Sequence, residues 1–304
     1  MAPPLSILQF GATGQVARAL TRAAAAHPHI TIRALTRDAI DLRRPDEAAR
    51  AIRDAGPVDV AVNTAAYTAV DKAESEPDIA RLVNADAVEA MAQACRARGL
   101  PLIHISTDYV FDGSKPAPYV ETDATAPLGV YGRTKLEGEE VIRATWDRHV
   151  ILRTSWVYSP WGTNFVKTML RLGAERDELR VVDDQHGAPT SAANIADAIL
   201  EIAARITDGT DSGLFGTFHY SDAGETTWRL FAEAIFADVG SWAAVKARVA
   251  PISAASYLTP ARRPLNSRLD CAKFERIYNM ARLPWRDALR RVLKDLETAQ
   301  ESMP

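Results

Sequence analysis

Six short runs rich in apolar and β-branched residues punctuate the first 190 positions: LSILQF, ITIRAL, DVAVNTAA, PLIHIST, HVILRTSWVY and LRVVDD. Longer segments of helical character fit between them. Near-continuous apolar strands separated by helices mark a parallel sheet covered on both faces and joined by right-handed crossovers. The pattern predicts an α/β fold, a Rossmann-type doubly wound parallel sheet.

Beyond residue 190 the rhythm loosens, through the helical SAANIADAILEIAARI, a short TFHY strand, a helix beginning near Thr226 and the extended VAPISAASY. No low-complexity linker separates this part. The expected organisation is a core over residues 1–155 and a smaller C-terminal α/β substrate-binding lobe over 156–304, with segments at about 179–210 returning to the core. The crevice between the two is where a ligand should bind.

Composition narrows the ligand. Charged residues make up 25% of the 304 positions and the net charge is -3, without the excess that marks a nucleic-acid or membrane partner, so a small molecule is expected. Arginine supplies 29 of the 36 basic residues, which makes pairs such as Arg43–Arg44 and Arg290–Arg291 a matter of composition until a site supports them. The opening MAPPLSILQFGATG has no basic leader with a long apolar run, and no stretch approaches 18 uninterrupted apolar residues; a cytoplasmic location is expected. Cys95 and Cys271 stand far apart without CxxC or His-spaced neighbours, which argues against a disulfide or zinc site. His104, between Ile103 and Ile105, reads as a hydrogen-bonded core residue.

Directly after the first run comes FGATGQVARAL. Gly11 and Gly14 sit at a strand-to-helix turn, with Thr13, Gln15 and Val16 around them and Ala17 where a third glycine often stands. Such a turn lets the backbone approach a pyrophosphate, which the helix N-terminus attracts. Residues 1–155 therefore read as an NAD(P)-binding core. The second run ends RALTRD, and Arg37 there suits a 2′-phosphate, so NADPH is favoured while Asp38 keeps NADH possible.

The stretch PLGVYGRTKLEGEE places Tyr131 and Lys135 four apart, one above the other on a helix. Alone, this fits a packed ring beside a solvated charge. HISTDYVFDG adds Thr107 and Asp108 at the C-terminal end of the fourth strand, the edge that faces the crevice in such sheets. Moving a phenol from pKa near 10 to neutrality takes about 4 kcal/mol. An ammonium about 4 Å away supplies about that much at an effective dielectric near 20. The expectation is that Lys135 eases proton donation by Tyr131 to a carbonyl.

These residues resemble the extended short-chain dehydrogenase/reductase family, and more narrowly its dTDP-4-dehydrorhamnose reductase branch. FGATGQVA, NTAAYTAVDKAESEP, STDYVFDG, ETDATAPLGVYGRTKLEGE, RTSWVY, NFVKTMLRL, DDQHGAPT and TPARRPLNSRLD follow in order almost end to end. The resemblance implies NADPH- or NADH-dependent reduction of the 4-keto group of a dTDP-4-dehydro-sugar. It places Gly14, Gln15 and Val16 at the pyrophosphate, Asp41 and Leu42 at the adenine, and Ala65, Ala66, Tyr67 and Thr68 at the nicotinamide half. Thr107, Tyr131 and Lys135 become the catalytic set. Val70, Asp108, Trp156, Asn164, Phe165, Arg262 and Arg263 become substrate contacts. Asp71, Glu74 and Glu76 in DKAESEP read as a solvated turn and helix start rather than as catalysts. Some reductases of this kind dimerise through magnesium held by glutamates; Ala19 and Ala193 stand at the matching positions, which argues against a metal-bridged dimer, while Mg2+ as a cofactor and a homodimer or a monomer all stay open. An epimerase or dehydratase is the alternative enzyme, weakened because Tyr109 rather than glutamate follows Asp108. A non-catalytic NADP-binding regulatory subunit is the alternative from another class.

Overall fold

The computed structural model describes residues 3–208 and 211–301. The first five apolar runs become β1 (Leu5–Phe10), β2 (Ile30–Leu35), β3 (Val60–Asn63), β4 (Leu102–Thr107) and β5 (His149–Thr154), and the sixth strand of the sheet, β6, is Gly216–His219. All neighbours are parallel, in the order β6-β5-β4-β3-β1-β2. β3 through β5 are buried at nearly every position, which is why their sequences are apolar without alternation. From β1 the chain runs to β2 on one side and then crosses to β3 on the other. That reversal opens a crevice at the C-terminal ends of β1 and β3.

Helices cover both faces. On one lie α1 (Gln15–Ala25), α6 (Ala192–Asp208) and α8 (Ala272–Tyr278), packed with β1, β3 and β5 through Leu20, Ile195, Ile199 and Phe274. On the other lie α2 (Pro45–Arg53), α3 (Ala87–Arg98) and α4 (Val130–Thr145), gathered around Ile52, Val88, Met91 and Ile142. A separate cluster holds the C-terminal lobe: α5 (Phe165–Glu175), α7 (Trp228–Asp238) and α9 (Trp285–Glu301), centred on Phe231, Ile235 and Leu289.

The run LRVVDD does not join the central sheet. Glu178–Val182 pairs in parallel with Arg248–Ile252 inside the lobe, and the sheet takes Gly216–His219, the segment read above as part of the lobe. The reason is in the side chains. Arg180 points to solvent in mid-strand, so this strand has one wet face, whereas a place in the sheet demands burial on both. Among the described residues of the 179–210 segment, α6 packs against the sheet and Glu178–Val182 does not.

Candidate active site

A cleft of about 940 Å³ runs along the C-terminal edge of the sheet. At its floor the glycine turn leaves β1. Gly11 has φ +94°, where a side chain is strained, and a Cβ there would also crowd the Thr64 hydroxyl at 3.0 Å. Gly14 is the N-cap of α1, and a Cβ on it would meet nothing within 4 Å. Its missing side chain thus serves the space above the helix N-terminus rather than protein packing, as a pyrophosphate cradle requires. Thr13, Gln15 and Val16 line the same floor, and Ala65, Ala66, Tyr67, Thr68 and Val70 the wall after β3. Arg37, Asp41 and Leu42 line the far end, together with Arg43. Arg43 grips Asp41 through its Nε and terminal nitrogens and holds that carboxyl down at about 2, with Arg37 adding to the pull. Arg43, set aside above as composition, is therefore part of the cleft wall.

At the other end Thr107, Asp108, Tyr131 and Lys135 converge on the cleft. Thr107 closes β4, accepts the Tyr109 N–H at 3.2 Å and donates its hydroxyl to Asp108 Oδ1 at 2.9 Å. Asp108 is 3% exposed and burial lifts its carboxyl to about 7, against the pull of Ser267 and Thr107. Two buried oxygens beside the cleft, Asp108 Oδ2 and Thr154 Oγ1, make no hydrogen bond within 3.5 Å among the described residues. Thr154 is the register partner of Thr107 on β5 and was not singled out from the sequence.

Tyr131 and Lys135 both stand on α4, and the hydrogen bonds of Lys135 run to β4. Lys135 donates to the Ile105 carbonyl at 2.7 Å and lies 2.9 Å from His104 Nε2. Burial carries its ammonium down to about 8, with Glu139 pulling the other way. Tyr131 is pushed up to about 12 by burial, with Thr107 lowering it and Asp108 raising it further. In the free protein the phenol is thus firmly protonated, and desolvation outweighs the help that helix spacing promised.

The position of α4 rests on residues scattered along the chain. Glu74 Oε1 accepts the Val130 N–H at 2.8 Å, capping the helix one residue before Tyr131. Gly132 lets α4 approach the Tyr109 carbonyl closer than any Cβ would allow, and Gly138 does the same at Asn84. The motif DKAESEP, read as a solvated turn, is structural to the cleft in all three acids: Glu74 caps α4, Glu76 accepts the Tyr67 hydroxyl at 2.7 Å, and Asp71 pairs with Arg263 at 2.8 Å.

Across the cleft Trp156 adopts φ 47°, a conformation a bulky residue takes only when its surroundings enforce it. Its indole stacks on Trp228 at 3.6 Å, and Gly187 supplies the room. Trp228 also lines the cleft; its only signal in sequence was its place after the Thr227 N-cap of α7. The remaining expected substrate contacts lie off the lining. Asn164 caps α5 and fastens Gln15 through Oε1 at 3.0 Å; Phe165 backs Trp228 at 4.6 Å. Arg263 is tied to Asp71 and Thr259, and Arg262 is exposed. Ala19 is buried between α1 and its neighbours and Ala193 is exposed. Among the described residues no cluster of three or more His, Cys, Asp or Glu side chains could hold a metal, and no helix is long and apolar enough to cross a membrane.

The family described as RmlD substrate binding domain matches residues 5–298. The chain belongs to the RmlD family of dTDP-4-dehydrorhamnose reductases. A dTDP-4-dehydrorhamnose reductase of Sinorhizobium fredii is 51% identical over 284 residues, 93% of this chain and 95% of the relative. Among solved structures, a dTDP-4-dehydrorhamnose reductase of Clostridium acetobutylicum superposes with a TM-score of 0.88 at 34% identity, covering 96% of this chain and all of that one. That of Bacillus anthracis, in complex with NADP, gives 0.88 at 32% identity over 96% and 99%. Membership of the RmlD family accounts for the order of motifs from the glycine turn to TPARRPLNSRLD.

Proposed function

We propose that this chain reduces the 4-keto group of dTDP-4-dehydro-L-rhamnose to dTDP-L-rhamnose with NADPH, and that Tyr131 donates the proton. The observation that carries the reading is that one cleft joins an open glycine cradle to Thr107, Tyr131 and Lys135. Gly11, Thr13, Gly14, Gln15 and Val16 hold the pyrophosphate at the α1 N-terminus, Arg37 faces the adenosine end, and Ala65 to Thr68 flank the nicotinamide half. A bound nicotinamide supplies the hydride that goes to C4 of the sugar.

The chain's own residues manage the oxygen. With its hydroxyl turned from Asp108 Oδ1, Thr107 joins Tyr131 in holding the keto oxygen; as hydride bonds to C4 the carbonyl π pair shifts onto that oxygen, which takes the phenol proton to give the hydroxyl and leaves a phenolate. A phenol at about 12 carries its proton through the working range but gives it up reluctantly, so donation needs the phenolate stabilised. The charge left behind is stabilised by Lys135 swinging from the Ile105 carbonyl into the cleft. Trp156 and Trp228 present an aromatic wall to the deoxysugar face, and Asp108 Oδ2 accepts from one of its hydroxyls.

The test incubates purified protein with NADPH and a panel of 4-keto nucleotide sugars, following loss of reduced cofactor and identifying the sugar formed. One NADPH consumed per dTDP-rhamnose is expected, while turnover without net oxidation would point to epimerisation. Tyr131→Phe should lower kcat by about 10²–10⁴-fold and leave NADPH affinity near native; native turnover in that variant ends the assignment. Arg37→Ala should shrink the preference for NADPH over NADH by about tenfold, the 2′-phosphate having lost its cation.

A further inference from the structure

Asn63 and His104 are register partners on β3 and β4, and they lead to Lys135. Asn63 Nδ2 lies 3.0 Å from His104 Nδ1, and His104 Nε2 lies 2.9 Å from Lys135 Nζ. The whole run is buried, with His104 and Lys135 each 1% exposed and Asn63 at 0%. Its directions follow from one group that can only donate. The Ala65 N–H reaches Asn63 Oδ1 at 3.0 Å, so Oδ1 is the accepting end of the amide and Nδ2 the donating end that faces the ring.

An N–H arriving at Nδ1 makes that nitrogen the acceptor, and a neutral imidazole then carries its proton on Nε2. That proton points at Lys135. An ammonium has three donors and no lone pair, so N–H would face N–H; the free amine has a lone pair that receives it. Turning the amide round gives no relief, because Nδ2 would then oppose the Ala65 N–H. Every link from Ala65 through Asn63, His104 and Lys135 to the Ile105 carbonyl is satisfied in one charge state, that of the neutral amine.

We propose that His104, its tautomer set by Asn63, is a positioning residue that biases Lys135 toward the neutral amine in the free protein, so that the cation is favoured when the cleft offers an acceptor. This rests on the reading of Thr107, Tyr131 and Lys135 as the reacting set. The other charged groups nearby do not reverse it. Glu139, one turn along α4, is already engaged by Ser106, Arg143 and Arg153. Burial keeps the His104 ring neutral without help from a charged neighbour.

Two measurements decide. Long-range nitrogen–proton correlation spectra of the free wild-type protein read the tautomer directly, and a ring protonated at Nε2 is expected for His104; protonation at Nδ1 overturns the proposal. The pH profile of kcat/KM reads the lysine. Asn63→Asp keeps an acceptor for Ala65 but places an oxygen at Nδ1, which moves the ring proton there and turns a lone pair to Lys135. His104→Gln sets a carbonyl oxygen near the place of Nε2. In both variants the lysine limb should rise by about one pH unit or more, a tenfold change in the ratio of ammonium to amine. An unmoved limb in either folded variant overturns the proposal while Tyr131→Phe remains inactive; turnover retained by Tyr131→Phe would instead remove the reading of the reacting set. The wild-type spectrum fixes the tautomer even where a variant fails to fold.

Discussion

Removing the carboxylate of Glu74 should loosen the helix that carries Tyr131, although Glu74 is not part of the cleft lining. Its Oε1 accepts the N–H of Val130, a residue 5% exposed, at 2.8 Å. In Glu74→Ala that buried donor loses its partner, which costs about 1–3 kcal/mol. Loss of a negative charge at the positive end of α4 adds about 0.3–1 kcal/mol. Water entering the vacated space offsets part of this, leaving about 1–2 kcal/mol, enough to raise the frayed population of the first turn about 5- to 30-fold. Tyr131 lies in that turn. Turnover should fall by between a few-fold and the ~10²-fold that a 1 Å misplacement of a reacting group costs, while NADPH affinity changes little.

Glu74→Gln, which keeps an accepting oxygen, should recover most of both losses. Gly129→Ala reaches the same cap from the other side, because its Cβ would meet Glu74 Oε1 at 2.6 Å. The double variant should be no worse than the poorer single one, since both act on one contact. The assays are a urea unfolding curve and initial rates at saturating NADPH. A Glu74→Ala protein with native midpoint and native kcat/KM would refute the reasoning.

Gly14→Asp separates folding from cofactor binding: aspartate is a good N-cap and the space is open, so stability should hold or rise, while its charge against the pyrophosphate should raise the NADPH Kd more than tenfold by titration. Asp108 has a folded pKa raised to about 7, so the native state binds more protons than the unfolded one above the unfolded value and its stability falls as pH rises toward 7. Relative to Asp108→Asn, the wild type should therefore lose up to about 3 kcal/mol between pH 5 and pH 8 in denaturant titrations; a difference independent of pH would contradict this. Trp228→Ala removes the partner of Trp156 and should cost about 2–4 kcal/mol of stability, with KM for the sugar rising more than kcat falls in steady-state kinetics.

Much of the sheet was legible because burial on both faces leaves no polar alternation to hide it. β1 to β5 and the glycine turn could be read straight from the apolar runs. LRVVDD misled because a short run with one exposed arginine has the same composition whether it lies in a doubly covered sheet or at the edge of a lobe. Strand partners are set by tertiary contacts, and neither Arg248–Ile252 nor Gly216–His219 announces in its own sequence which strand it will join.

The site divides along the same line. Residues whose position follows from local geometry, such as Gly11 at its positive φ or Thr107 at a strand end, could be placed from spacing alone. The Tyr131–Lys135 pair was placed correctly on one helix, yet spacing carries no information on what else reaches each group. Lys135 is drawn to a backbone carbonyl and a histidine on β4, and the phenol is governed by desolvation. His104 read as core because a histidine between isoleucines on a strand is buried whichever nitrogen bears its proton, and the consequence for the lysine lies in an asparagine 41 positions away. The acids of DKAESEP illustrate the converse. Their polarity suggested solvent, but each meets a donor from α4, from the cleft wall or from the C-terminal loop. Charged side chains near an active cleft are therefore best judged by the donors that distant segments bring to them, and those segments converge only once the chain has folded.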